Sequence, residues 1–234
     1  MSKDYLLQIS KLSKSFDQTK ALVGINFHLK PGTITALIGP NGSGKTTLIK
    51  SIVGLHFPDK GQITVAGHDI ATDPIDAKKI IGYVPDGPNG FDYLSGAELL
   101  SLTAKLRQAQ YPDKDLTQLI KDFRLTPIIH HRISSYSRGN RQKLAFVAAL
   151  IGQPKLLIID EPVVGLDPES IEVFGDALKE FAKNGGAVLF STHILEFGKR
   201  FANRLLVMHQ GRIKLDTKVT VKTSLTKQYQ RLTK

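Results

Sequence analysis

The chain of 234 residues contains no cysteine. That absence removes disulfides, thiolate zinc sites, iron–sulfur ligation and cysteine nucleophiles together, and it fits a reducing cytosol. Long hydrophobic runs are missing as well, since nothing approaches the ~18 consecutive apolar residues that a membrane-spanning helix needs. The N-terminus, Met1-Ser2-Lys3-Asp4-Tyr5, is charged and polar and lacks the apolar core of a secretory signal peptide. These absences predict a soluble chain whose membrane role, if any, comes through a partner. Internal repeats, low-complexity segments and the heptads of a long coiled coil are also lacking. The length suffices for one large domain, or one domain carrying a subdomain, with a core that needs no staple.

Acidic residues are outnumbered, 21 against 32 lysines and arginines, for a formal net charge of +11. An excess of that size suggests an anionic partner: a nucleotide, a nucleic acid or the acidic face of a membrane. Much of it lies near the end, where Arg212, Lys214, Lys218, Lys222, Lys227, Arg231 and Lys234 face only Asp216. Such a run is either a solvated extension or an electrostatic contact. It lacks interleaved aromatics apart from Tyr229, so nucleic acid ranks below anionic lipid or simple solvation.

Hydrophobic periodicity divides the chain in three. Ile25, Phe27 and Leu29 alternate with Asn26 and His28 as a half-buried strand, and Lys30-Pro31-Gly32 turns into the apolar run Thr33 to Ile38. Lys45 to Val53 predicts a helix stopped by Gly54, with further strands over Gln62 to Val65 and Ile80 to Val84. In the middle, Ser95 followed by Glu98 predicts a capping box that opens a helix with Leu99, Leu102 and Leu106 on its apolar face. Asp115 to Leu125 continues as helix after a break at Pro112. The last third alternates: an apolar strand ending at Asp160, a helical face of Ile171, Phe174, Leu178 and Phe181, a break at Asn184-Gly185-Gly186, and a buried run from Ala187 to Ser191. Strands alternating with helices imply a mostly parallel sheet, hence an α/β fold, here with a helical insertion from about Ser95 to Gly152.

Two motifs carry chemistry. Gly39-Pro40-Asn41-Gly42-Ser43-Gly44-Lys45-Thr46-Thr47 matches the phosphate-loop pattern and sits between a strand and a helix start. Its glycines let backbone N–H groups close on phosphate oxygens at the positive end of the helix dipole. Lys45 adds a charge near the β and γ phosphates, and the Thr46 hydroxyl suits Mg²⁺. The second motif, Leu156-Leu157-Ile158-Ile159 followed by Asp160-Glu161-Pro162, delivers two carboxylates at the C-terminal edge of a buried strand, where open α/β sheets bind ligands. Strand alternation aims them oppositely, Asp160 toward the Mg²⁺ shell and Glu161 toward an attacking water. A pair of carboxylates after a strand is by itself as easily an N-cap or a solvated pair; the phosphate loop favours the chemical reading.

At Ser137-Arg138-Gly139-Asn140-Arg141-Gln142 the chain resembles the ATP-binding cassette (ABC) ATPases, and the resemblance covers nearly its whole length. The family's signature usually reads Leu-Ser-Gly-Gly-Gln; Ser137 and Gly139 are kept, while Tyr136, Arg138 and Asn140 depart from it. The resemblance implies a phosphate-loop NTPase core with a mostly parallel sheet (about residues 1–94 and 153–215), including an N-terminal antiparallel β-subdomain. It adds a helical signature subdomain (about 95–152) and leaves a basic tail (216–234). It makes Glu161 and His193 catalytic, Asp167 part of the D-loop beginning at Gly165-Leu166, and Phe16 the aromatic that stacks on adenine, although Phe16 alone reads more simply as a core residue. Ser137, Arg138, Gly139 and Asn140 would touch ATP held by a second cassette. Asp86 stands where the family places glutamine, a shorter, charged side chain that can reach Mg²⁺ through water but offers no amide donor.

ATP and Mg²⁺ are the cofactors this implies, and the partners are a second cassette and separate membrane-spanning permease subunits, with the chain peripheral on the cytoplasmic face of the membrane. An exporter is expected from Asp86 and the Tyr-Ser-Arg-Gly-Asn signature. The alternatives are a non-transport cassette ATPase in a soluble assembly and, less well supported for want of an acceptor site, a phosphate-loop kinase.

Overall fold

Apolar and polar residues alternate through the first two strands, β1 (Leu7–Phe16) and β2 (Thr19–Leu29), which pair antiparallel with Leu7 opposite Leu29 and Ile9 opposite Phe27. The computed structural model to which they belong describes residues 5–87, 90–110, 114–162, 165–219, 229 and 231–232. Strand β3 (Ile34–Ile38) is buried at every position, as a strand covered on both faces must be. It runs through the phosphate loop into helix α1 (Lys45–Ile52), which ends as expected at Val53, with Gly54 left-handed at φ 71°. Strands β4 (Lys60–Val65) and β5 (His68–Asp69) complete an antiparallel sheet of order β2-β1-β4-β5. A short helix α2 (Pro74–Ile80), absent from the sequence reading, leads into β6 (Ile81–Val84).

The middle of the chain is helical: α3 (Gly96–Arg107), α4 (Lys114–Asp122) and α5 (Arg138–Leu150). Both halves of the capping box at α3 are formed: the Ser95 N–H donates to Glu98 Oε2 at 2.7 Å, and Glu98 N–H donates to Ser95 Oγ at 3.2 Å. The face of α3 is not the expected one. Gly96, Leu100 and Ala104 are buried, whereas Leu99 and Leu102 are only half-buried and Leu106 is 76% exposed. Small residues let this helix approach its neighbours, so its apolar leucines misreport the phase. Helix α4 stops at Asp122, short of Leu125, because Arg124 turns left-handed at φ 56°. The expected break at Pro112 lies outside the described residues.

Two strands and two helices then alternate, β7 (Leu156–Ile159), α6 (Pro168–Lys183), β8 (Ala187–Thr192) and α7 (Leu195–Phe201), followed by the hairpin β9 (Arg204–His209) and β10 (Arg212–Lys218). The second sheet has the order β10-β9-β3-β8-β7-β6, parallel throughout except for the β10–β9 edge. The expected α/β architecture, with its antiparallel sheet near the N-terminus, is the one observed. Pleating sends successive side chains to opposite faces. Leu157, Ile159, Val188 and Phe190 therefore join the core shared with the helical segment, while Leu156, Ile158 and Leu189 join the core shared with the antiparallel sheet.

Of the basic residues near the end, Arg212, Lys214 and Lys218 occupy exposed positions of edge strand β10, which carries the chain through Lys218. Arg204 grips Asp216 with two nitrogens, at 2.7 and 2.6 Å. Lys222, Lys227 and Lys234 lie outside the described residues.

Candidate functional site

Three strands of the parallel sheet, β3, β8 and β7, end side by side, with Ile38 beside Thr192 and Ile159 beside Phe190. The phosphate loop, the carboxylates and the histidine each leave from one of these ends. Gly44 begins α1 with φ 104°, a left-handed turn that strains any residue with a Cβ. A Cβ on Gly39 would lie 2.2 Å from the Met208 carbonyl oxygen, so the loop also rests directly on the β9 backbone. The Gly211 N–H at the β9–β10 turn donates to Ser43 O at 2.9 Å and fixes the loop from the same side.

A cavity of about 440 Å³ opens here. Asn41, Gly42, Gly44, Lys45, Thr46 and Thr47 of the loop line it, together with Asp86, Glu161 and His193. Lys45 is 6% exposed and its ammonium donates to the Gly39 and Pro40 carbonyls at 2.8 and 3.2 Å. Glu161 Oε1 stands 3.8 Å from the same nitrogen. Burial lowers the Lys45 pKa from its ordinary value, and the charges of Glu161 and Asp160 oppose that shift. The site thus holds a desolvated cation facing open space, the arrangement that an anionic ligand satisfies.

Strand pleating, the expected source of Glu161's aim, does not set it. Strand β7 stops at Ile159, and Glu161 adopts a left-handed φ of 47°, uncommon for a residue with a side chain. Ser191 holds it there: the Glu161 N–H donates to Ser191 Oγ at 2.9 Å, and the Ser191 hydroxyl donates to Asp160 Oδ1 at 2.5 Å. His193 Nδ1 lies 3.1 Å from Glu161 Oε2. One serine therefore positions both carboxylates, and a buried hydroxyl at the end of the apolar run Ala187–Phe190 was the signal for it. Asp160 itself is 1% exposed, behind the cavity wall. Burial, followed by the charges of Asp160 and Asp86, pushes the Tyr83 phenol up to about 12.

Other expected residues lie elsewhere. Phe16 is 41% exposed, packs edge-on against His56 with centroids 5.2 Å apart, and does not line the cavity. Thr19, Lys20, Ala21, Gln210 and Gly211 complete the cavity lining, residues that no motif marks and that only the fold brings there. Ser137 caps α5, accepting the Asn140 N–H at 3.2 Å, and with Arg138, Gly139 and Asn140 it stands outside the cavity lining. A Cβ on Gly139 would lie 2.2 Å from the Gly165 carbonyl oxygen, so the signature turn and the loop before Asp167 touch backbone to backbone. Asp167 caps α6. The Ser170 N–H, then the Lys143 ammonium at 2.9 Å and the Ser170 hydroxyl, hold its carboxyl well below the usual range.

The sequence model describing the ABC transporter family matches residues 22–164. The chain belongs to that family. This ABC cassette is similar to the ABC transporter ATP-binding protein YdbJ of Bacillus subtilis, 37% identical over 212 residues that cover 90% of this chain and 68% of that protein. It is similar also to the Nod factor export ATP-binding protein I of Burkholderia pseudomallei, 30% identical over 213 residues covering 88% and 68%. A solved ATP-binding subunit of an ABC transporter superposes with a TM-score of 0.89 at 32% identity, covering 98% of this cassette and 100% of that chain. Among the described residues of the cassette, no helix is long and apolar enough to cross a membrane.

Proposed function

We propose that this cassette hydrolyses ATP and uses the cycle to drive export through separate membrane-spanning subunits, working peripherally at the cytoplasmic face of the membrane as one of a head-to-tail pair. The observation that carries the reading is the convergence of Lys45, Glu161 and His193 on one cavity at the mouth of a phosphate loop. Backbone N–H groups of the loop and the Lys45 ammonium bind the phosphates and hold them at the N-terminus of α1. Glu161, steadied by Ser191 and His193, takes a proton from the water that attacks the γ-phosphate. His193, on the exposed side of Glu161, senses that phosphate.

The Thr46 hydroxyl and the Asp86 carboxylate line the cavity and are hard oxygen donors of the kind that would hold Mg²⁺, while Asp160, buried with Oδ1 accepting from Ser191, would add its charge from behind them. Bound there, the ion would neutralise charge on the phosphate oxygens. The reading of Ser137 as a contact to a partner's nucleotide is supported by its place at a helix N-terminus outside its own cavity. Export is favoured by the Nod factor export relative and by Asp86.

Glu161→Gln should bind ATP with turnover lowered by about 10²-fold or more, measured as phosphate release; undiminished turnover removes Glu161 as the base. A non-transport role in a soluble assembly is the competing reading. Recovery of the tagged chain from detergent-solubilised membranes with a multi-span subunit supports transport, whereas a stable complex with soluble proteins alone overturns it.

A further inference from the structure

The cavity wall carries two carboxylates, and each has a basic partner. Glu161 faces Lys45 at 3.8 Å and His193 at 3.1 Å. Asp86 has neither. Its partner is Arg138, whose Nη2 donates to Asp86 Oδ1 at 3.0 Å across 52 positions of sequence. Both members of this pair are departures from the pattern that the chain otherwise resembles: an acid where an amide is usual, and an arginine where the signature has glycine. Glycine offers no charge and glutamine needs none. An unpaired carboxylate at position 86 would instead stand against the phosphates of an incoming nucleotide.

We propose that Arg138 is the charge partner that makes a carboxylate at position 86 compatible with nucleotide binding. The guanidinium, planar and permanently charged, draws the Asp86 carboxylate toward α5 and compensates its charge at the rim of the cavity. Arg138 is thus a positioning residue acting through Asp86. It also joins the N-terminus of the signature helix to the loop after β6, so the two departures form one electrostatic unit. Both side chains are about half exposed, 57% and 47%, so solvent screens the pair and its effect is modest.

The inference rests on the cavity being a nucleotide site, and the test separates the two. A fluorescent ATP analogue is titrated in the presence of EDTA, so that no metal ion bridges Asp86 to the phosphates. Arg138→Gln is expected to weaken binding about two- to fivefold at low salt and less at high salt. Arg138→Lys keeps the affinity, and in an Asp86→Gln background Arg138→Gln changes it little, because no charge remains to compensate. An equal loss in both backgrounds overturns the pairing and leaves only the general attraction of a cation for an anion. No loss in the single variant, with binding by the parent intact, overturns it too. A parent chain that binds no nucleotide removes the site itself and this inference with it.

Discussion

The two halves of the candidate site are built by different means. The strand-edge half, Asp160, Glu161, Ser191 and His193, hangs from adjacent parallel strands whose residues are completely buried, and its hydrogen bonds close on one another. The signature half, Ser137 to Asn140, sits at the start of one helix. Its helix is packed into the core through Leu144, Phe146 and Val147, and the Arg138–Asp86 and Lys143–Asp167 ion pairs and the close approach of Gly139 to Gly165 join it to the rest of the site. The first half is anchored to the sheet, with Asp160 and Ser191 buried at the strand ends. The second begins at a helix start whose Arg138 side chain is more than half exposed, so part of it is open to contact from outside.

Substitutions can break that contrast or sharpen it. The largest effect is expected from Lys45→Ala, which removes the cation facing the cavity: nucleotide affinity should fall about 10²-fold in equilibrium titrations, with little change in thermal stability. Ser191→Ala tests the strand-edge half. It deprives buried Asp160 of its donor and the Glu161 N–H of its acceptor, so stability should drop by about 1–3 kcal/mol in denaturant unfolding, together with ATPase rate.

Gly139→Ala forces a Cβ onto the Gly165 backbone and should cost about 1–3 kcal/mol by overpacking, with ATP turnover lost before nucleotide binding. Equal loss of both would make the two halves a single unit. Ser137→Ala removes the α5 cap and should cost about 1 kcal/mol in denaturant unfolding.

Smallest is a pH effect at Asp167, whose carboxyl is held below its usual pKa and is more than half exposed. A lowered folded-state pKa stabilises above the unfolded value and is lost as pH falls. The melting-temperature difference between the parent and Asp167→Asn should therefore be constant above about pH 4 and shrink below it. A difference that grows on acidification would reverse the assignment.

Part of the strand-edge half, the phosphate loop and the start of α3 were legible because each is local. The phosphate loop declares itself between a buried strand and a helix, Asp160 and Glu161 follow a continuous apolar run, and the capping box at Ser95 is a three-residue spacing. What escaped was set by packing or by distance along the chain. Helix α3 turns its Gly96, Leu100 and Ala104 inward, a face defined by small residues that hydrophobic periodicity underweights. Helices α2 and α7 have seven residues each, too few to establish a period. The Arg138–Asp86 and Lys143–Asp167 pairs and the wall of Thr19 to Ala21 and Gln210 join segments that only the finished fold brings together. Phe16, expected to stack on adenine, lies at the exposed end of β1 with its ring edge-on to His56.

The left-handed backbone at Glu161 has an evolutionary consequence. Glycine would occupy that turn with less conformational strain, and asparagine is also better suited to it than glutamate. A population of this chain selected only for resistance to heat would therefore be drawn to replace Glu161, and one selected for turnover to retain it. Position 161 is where a screen for thermostability and a screen for activity should part company.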